Sequence, residues 1–332
     1  MWYIISSFII IVISGFAHFF PRYYISELVL SFSPYIIALL FIWLFFSIVS
    51  LRKYLKAKKL GNIFPRWQWF AGLFTLFFGI LFLLYSSPFT HFYTNTLVET
   101  KADSGDLKVL FANIHKDNVD YSWIENLIVQ QQPDMLMFVE FSDNHYLHLK
   151  DFLQKNYPYT NTMNRSKTFV GSTVFSKYKI NNWADNFPQG MWRYGYFSIL
   201  FNNTPYYFYL VHTSSPDSYS HFLMRNQQLT TFAHDFITQE KVRWQASVIA
   251  VGDFNLTPWS AYYKDMSQAF SGKLVDVTKH FPILFTWRLF ALPFLQAHID
   301  HLLVSTGVII DNLQSVTIPG SDHKGFLFDI KK

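Results

Sequence analysis

Three stretches near the N-terminus contain no Asp, Glu, Lys or Arg: Trp2–Phe20, Leu28–Leu51 and Trp67–Ser87. A helix crossing bilayer hydrocarbon needs about 20 mainly apolar residues, and each stretch is near or above that length. Core helices of soluble proteins rarely run so far without a charge. The expectation is therefore three transmembrane helices, at about 2–20, 28–51 and 67–87. The first stretch has a second reading as a signal peptide, with Gly15-Phe16-Ala17 as a small-x-small cleavage site. Met1-Trp2-Tyr3 offers no positive n-region, and bulky aromatics follow the candidate site at once, so a retained span is expected. This gives a membrane anchor over 1–87, a polar linker over 88–106 and a folded domain over 107–332.

Charge divides along the same boundary. Before Pro88 there are seven basic residues and one acid, Glu27, which leaves 20 of the chain's 27 basic and 21 of its 22 acidic residues in the remainder. The net charge of +5 thus belongs to the anchor, and the soluble part lacks the basic footprint that draws in a polyanion. Six of the seven bases lie in Leu51–Trp67. Lys and Arg beside spans stay on the cytoplasmic side, so the third span leads outward. A multi-pass membrane protein is expected, with everything after Ser87 on the extracytoplasmic face, periplasmic or outer. The chain has no cysteine, which excludes disulfides, thiolate metal sites and cysteine nucleophiles. A metal here must be held by carboxylate, amide or imidazole groups.

Beyond the linker, short apolar runs alternate with helical patterns. Strands are predicted at Leu107–Ile114, Met135–Phe141, Thr173–Ser176, Phe197–Phe201, Tyr206–Val211, Ser247–Val251, His298–Ser305, Ser315–Ile318 and Phe326–Ile330. Helices are predicted at Val119–Gln132 and at Phe222–Ile237, where Phe222, Leu229, Phe232 and Phe236 share a face. Many strands with interspersed helices point to one α/β or α+β domain whose strand ends form the working face.

Polar groups sit at those ends. Asn113 closes Leu-Phe-Ala-Asn, Glu140 interrupts an apolar run, and His212 ends Tyr-Leu-Val-His. Gly252-Asp253-Phe254-Asn255 follows a strand, Asp300-His301 begins one, and Ser321-Asp322-His323 precedes the last. Such groups in apolar surroundings must be paired, coordinated or at the surface. Taken singly, each has a plain structural reading: a paired carboxylate, a core histidine, a turn or a helix cap. The argument rests on the ordered set.

That set resembles the endonuclease/exonuclease/phosphatase superfamily, the deoxyribonuclease-I-like fold. The resemblance extends over about Leu107–Ile330. It implies a four-layer αββα sandwich, two packed mixed sheets flanked by helices, preceded here by about three transmembrane helices. It further implies divalent-metal-dependent hydrolysis of phosphoesters, most readily phosphodiesters. Glu140 would be the main metal ligand, with Asn113 and Asp322 nearby, and hard oxygen donors suit Mg²⁺ or Mn²⁺. His323 would be the general base, oriented by Asp300. Asp253 and Asn255 would position nucleophile and phosphate oxygens, and His212 would protonate the leaving oxygen or stabilise charge on phosphorus, so that Asn255 and His212 also bind substrate. The residues leave open which histidine is acid and which is base.

Less specific contributors are Ser176, Arg225, Gln228 and Phe285-Thr286-Trp287, for which packing or a solvated helix face serves as well. Substrate candidates are nucleic acid, a lipid headgroup or a small phosphoester. The lipid bilayer is a partner through the N-terminal helices, and the sequence identifies no protein partner. A phospholipid- or sphingomyelin-type phosphodiesterase gains weight from the anchor. Two other readings compete. A dinuclear metallophosphoesterase would use Asp143-Asn144-His145, but no Gly-Asn-His follows. A non-catalytic membrane-bound module should have lost site residues, and all the main positions are filled.

Overall fold

The computed structural model describes residues 2–60, 69–92, 106–161, 171–186, 194–240, 247–280 and 284–331. The chain divides into two compact units, Met1–Thr94 with Trp259–Ala261, and Asn95–Pro258 with Tyr262–Lys332.

The first unit contains α1 (Trp2–Phe19), α2 (Tyr24–Ser31), α3 (Ser33–Lys59) and α4 (Trp69–Phe92). Among the described residues two helices, α3 and α4, are long and apolar enough to cross a membrane, and α1 with α2 would supply a third span only as a pair bent by 109°. The predicted span over 28–51 is divided at Phe32. Pro34 has no N–H to return to the Leu30 carbonyl, and the Ser33 hydroxyl donates to that carbonyl instead, at 2.6 Å. α3 then runs on through Arg52, Lys53, Lys56 and Lys58, good helix formers whose charge complements a helix C-terminus. α4 continues past the expected end at Ser87. The rest of the predicted basic loop (61–66), the start of the third predicted span (Trp67–Gln68) and most of the predicted linker (93–105) lie outside the described residues.

Leu40, Phe74, Phe78 and Leu81 face inward in this unit, while Phe8, Phe16, Phe41, Phe45, Leu76 and Leu83 are exposed. Two of its polar side chains bond across helices: Tyr85 Oη donates to Ser14 O at 2.8 Å and Trp43 Nε1 to Ser7 Oγ at 3.1 Å.

The second unit holds two six-stranded mixed sheets and a two-stranded ribbon. The first sheet comprises β1 (Leu107–Asn113), β2 (Met135–Phe141), β3 (Tyr159–Thr160), β4 (Gly171–Ser176), β13 (Ile310–Thr317) and β14 (Lys324–Ile330), in the order β13-β14-β1-β2-β4-β3. The second comprises β5 (Asn181–Asn186), β6 (Tyr194–Phe201), β7 (Thr204–His212), β8 (Ser247–Asp253), β9 (Leu274–Asp276) and β12 (Asp300–Ser305), in the order β5-β6-β7-β8-β12-β9. β10 (Trp287–Leu289) and β11 (Leu292–Ala297) form the ribbon. β1 runs parallel to β2 and β7 parallel to β8; the other pairs are antiparallel.

Side-chain alternation builds the layers. Val109 and Phe111 of β1, Met135 and Met137 of β2, Phe208 and Leu210 of β7, Ile249 and Val251 of β8, and Leu302 and Val304 of β12 meet in one core between the sheets. The opposite rows, with Leu110, Ala112, Leu136 and Phe138, pack on Ile124 and Leu127 of α5 (Tyr121–Gln131) and on Leu149 and Leu153 of α6 (Asp143–Asn156). On the far side of the second sheet, Tyr209 contacts Phe232 and Phe236 of α7 (Tyr219–Glu240). A fourth helix, α8 (Ala261–Ala269), completes this set. The result is the expected αββα sandwich. Strands buried on both faces explain why β1, β2 and β8 are mostly apolar in the sequence.

Candidate functional site

The predicted site residues extend the inward-facing rows of four strands. Asn113 follows Phe111 on β1, His212 follows Leu210 on β7, Asp253 follows Val251 on β8, and Asp300 precedes Leu302 on β12. Register aligns three of them on neighbouring strands, since Asp253 lies opposite both His212 and Asp300. Where the core between the sheets ends, these groups form its polar rim.

Glu140 obeys a different rule. By alternation it would face the helices, like Phe138. The β2–β4 register slips between Phe138 and Phe141, and Glu140 takes φ +58°. Such a bulge re-aims a side chain at some conformational cost. Glu140 Oε1 accepts from Asn113 Nδ2 at 3.1 Å and lies 3.7 Å from His212 Nε2, while Oε2 accepts from the Lys116 N–H at 3.0 Å. Burial works to raise its pKa, but His212, the Lys116 N–H, the Asn113 amide and His323 outweigh it and lower it.

Asn113 bridges the two sheets, because its Nδ2 also reaches Asp253 Oδ2 at 3.2 Å. His323 Nδ1 lies 3.0 Å from Asp300 Oδ2, and its Nε2 lies 3.6 Å from Asp253 Oδ2. Asp253, Asp300 and His323 each bring a donor atom within 4.8 Å of the others, all buried. Burial alone would lower the His323 pKa; Asp300 and then Asp253 reverse this and carry it to about 10. Burial, with Asp300 and Glu140, raises Asp253 to about 7 against the pull of His323 and the Asn255 N–H. Asp300 Oδ1 is buried with no protein hydrogen-bond partner.

Asn255, at φ +47°, donates its backbone N–H to Asp253 Oδ1 and its Nδ2 to Thr213 O, holding the loops after β7 and β8 together. Asp322 is half-buried, and its Oδ2 accepts from Trp287 Nε1 at 2.8 Å. The structure thus joins Asn113, Glu140, His212, Asp253, Asp300 and His323 through direct contacts, with Asn255 and Asp322 bonded at the margins.

His301, the other half of the Asp-His pair, points elsewhere. It continues the outward row with Leu303, is fully buried, and sits between Asp276 Oδ2 and Leu256 O. Ser176 pairs with Met135, at the opposite end of β2 from Glu140. The weaker sequence signals turn out to be supports. Arg225 is buried rather than on a solvated face, and its Nη1 donates to Asn255 O at 2.7 Å. Gln228 accepts from the Ser214 N–H at 2.8 Å. Thr286 Oγ1 accepts from the N–H groups of both Ile299 and Asp300, fixing the start of β12.

Asn118 was missed. Its Nδ2 donates to Ile114 O and Pro319 O, which staples the loop after β1 to the turn before Ser321. Gly320 fits beside it at φ +79°, where an added Cβ would meet Asn118 Oδ1 at 2.0 Å. An Asn in a polar loop gives no sequence signal for this. His145, a metal-ligand candidate in the metallophosphoesterase reading, is buried and forms a capping box with Ser142 at the start of α6.

A model of the endonuclease/exonuclease/phosphatase family matches residues 110–323. No curated protein matches the chain. Among solved structures, Danio rerio TDP2 complexed with single-strand DNA product is 19% identical, with a TM-score of 0.56, covering 69% of this chain and 100% of that one. A Staphylococcus aureus beta toxin variant with bound magnesium ions is 18% identical, with a TM-score of 0.50 and coverage of 68% and 100%. The catalytic domain of human Nocturnin with bound sulfate is 15% identical, with a TM-score of 0.54 and coverage of 70% and 95%. At these identities the neighbours speak for the fold.

Proposed function

This chain belongs to the endonuclease/exonuclease/phosphatase family, whose members hydrolyse phosphoesters, and on that premise we propose that it is a membrane-anchored, divalent-metal-dependent phosphodiesterase. The observation that carries the proposal is the single rim on which amide, carboxylate and imidazole groups from both sheets meet.

The residues fit a hard cation. Glu140 has its pKa lowered and so offers an ionised carboxylate, its two oxygens each take one hydrogen bond and keep lone pairs, and no thiolate competes. Glu140 would hold Mg²⁺ or Mn²⁺, with Asn113 and Asp322 alongside. Such a cation supplies Lewis-acid stabilisation of charge on the phosphoryl oxygens.

In the reaction a water oxygen attacks phosphorus, the ester P–O bond breaks, and the leaving oxygen takes a proton. Asp300 holds His323 through Nδ1, which leaves Nε2 as the atom that exchanges a proton in the cleft. Asp253 and Asn255 orient the nucleophile and phosphate oxygens. His212, beside Glu140 and more open, serves the leaving oxygen or the charge on phosphorus. The basic segment Arg52–Lys59 supports an extracytoplasmic position for this unit. The substrate class includes nucleic acid, as in the neighbour bound to a DNA product, lipid headgroups and small phosphodiesters.

The test is hydrolysis of bis(p-nitrophenyl) phosphate by the full chain in detergent. Activity should vanish with a chelator, return with Mg²⁺ or Mn²⁺, and fall by about a thousandfold in Glu140→Ala and His323→Ala. Chelator-resistant turnover, or full activity in either variant, overturns the reading.

A further inference from the structure

The turn that follows β8 holds Asn255 at φ +47°, in the left-handed region that most residues avoid. Three successive carbonyls of this turn are each taken by a buried side-chain donor. Thr213 Oγ1 donates to Phe254 O at 2.6 Å, Arg225 Nη1 to Asn255 O at 2.7 Å, and His301 Nε2 to Leu256 O at 2.7 Å. The donors come from three places in the fold, the loop after β7, α7 and β12, and all are buried.

Arg225 and His301 are themselves held. Arg225 Nε donates to Asn226 Oδ1 at 2.8 Å, and its guanidinium stands over the Phe222 and Tyr262 rings, 5.5 and 5.6 Å from their centroids. A carbonyl can only accept, so His301 Nε2 carries a proton, and His301 Nδ1 lies 2.7 Å from Asp276 Oδ2. That carboxylate also accepts from Tyr263 Oη at 2.8 Å and from the Thr278 hydroxyl at 2.6 Å. Both cations belong to the helix side of the second sheet, Arg225 on α7 and His301 on the outward row of β12, whereas Asp253 and Asp300 extend the inward rows. The carbonyls of Asn255 and Leu256 are thereby drawn away from the rim. Turned the other way, they would set their negative ends against an anionic phosphoester.

We propose that Arg225 and His301 are positioning residues for hydrolysis at this site, two buried cations that pull successive carbonyls back from the cleft and so fix the Asp253 and Asn255 side chains. This role rests on the hydrolase reading above and extends it to two residues behind the cleft. The link to the reacting groups is short. The Asn255 N–H donates to Asp253 Oδ1 at 2.9 Å, and Asn255 Nδ2 donates to Thr213 O at 3.0 Å. A shift of the turn therefore moves both groups that orient the nucleophile and the phosphate oxygens. Losing either cation slows the bound complex and leaves binding nearly intact.

Two measurements on the full chain in detergent test it. The first is steady-state hydrolysis of bis(p-nitrophenyl) phosphate with Mg²⁺. Arg225→Met and His301→Asn, whose amide still reaches Asp276 but not Leu256, should lower kcat by about a hundredfold and change KM by no more than about threefold. Arg225→Lys keeps a charge and a donor, and should recover kcat to within about tenfold of the parent. Asn255→Gly keeps the positive φ but removes the side chain being positioned, and in that background Arg225→Met should cost no more than about tenfold. Full kcat in Arg225→Met, a Lys variant no better than Met, or the same fractional loss in both backgrounds overturns the proposal. The second measurement is amide hydrogen exchange over residues 253–258. Exchange there should accelerate by about tenfold or more in Arg225→Met and His301→Asn, with β1 and β2 unchanged. Parent-like exchange in the turn, or equal acceleration in β1 and β2, overturns the proposal even where activity falls. If the parent hydrolyses nothing, the hydrolase reading fails, and amide exchange still decides whether the two cations hold the turn.

Discussion

Both ring nitrogens of His301 lie 2.7 Å from acceptors, Asp276 Oδ2 and Leu256 O, so the buried ring donates twice and is an imidazolium. Burial opposes that charge, and Asp276 chiefly restores it, raising the His301 pKa. Burial likewise opposes ionisation of Asp276, but His301 leads the groups that bring it from 3.8 to about 2. The sign follows from the lowered carboxylate: its contribution to stability is complete above 3.8 and is lost as pH falls through about 2. Asp276→Asn leaves a buried cation without its partner, at a cost of roughly 3–5 kcal/mol. Denaturant unfolding of the variant should show that loss at pH 7 and a flatter response between pH 4 and pH 2. Parent-like stability at both ends would mean that the pair holds little. The neighbouring pair also shows what is legible at this scale. Asp300 and His301 are adjacent letters with opposite fates, because strand alternation sends one to the rim and the other to the helix side. Alternation likewise predicts an inward Asn113, His212 and Asp253 from the apolar residues two positions earlier. It fails at Glu140, whose direction depends on a bulge set by pairing with β4, a partner outside its own segment.

Among the elements, strands buried on both faces were the easiest to read. Met135–Phe141 was predicted to the residue, and β1 and β8 to within two at either end. The predictions lacked α6, whose sequence is largely polar and whose apolar contacts reduce to a few positions such as Leu149 and Leu153. Short edge elements such as β5, β9 and the ribbon strands carry too little periodicity to stand out. Gly252 expresses a constraint between elements. An added Cβ would meet the Val211 carbonyl oxygen at 2.0 Å, where β8 runs beside β7. Gly252→Ala must push these strands apart beside His212 and Asp253. It should lower the unfolding temperature of the second unit and reduce phosphodiester hydrolysis by about a hundredfold, with metal affinity at Glu140 retained. Wild-type turnover with an unchanged unfolding temperature would show that the strands have room there.

For the molecule as a whole, composition alone separates a basic, apolar N-terminal region from a nearly neutral remainder. The break at Phe32 was less legible, since it follows from one missing N–H at Pro34 inside a charge-free stretch. On the proposed topology the second unit lies outside the cytoplasm. A phosphatase reporter that works only there, fused after Lys332, should be active, and the same fusion made after Lys59 should not be. The reverse pattern would invert the topology. The central claim is that distant carboxylate, amide and imidazole groups gather around one cation and one phosphoryl group. Anomalous scattering from crystals of the full chain grown with Mn²⁺ tests it most directly. The account expects a strong peak bonded to the Glu140 carboxylate, with Asn113 and Asp322 alongside and His323 still paired with Asp300. A peak held instead by Asp253, Asp300 and His323, with Glu140 uninvolved, would contradict it.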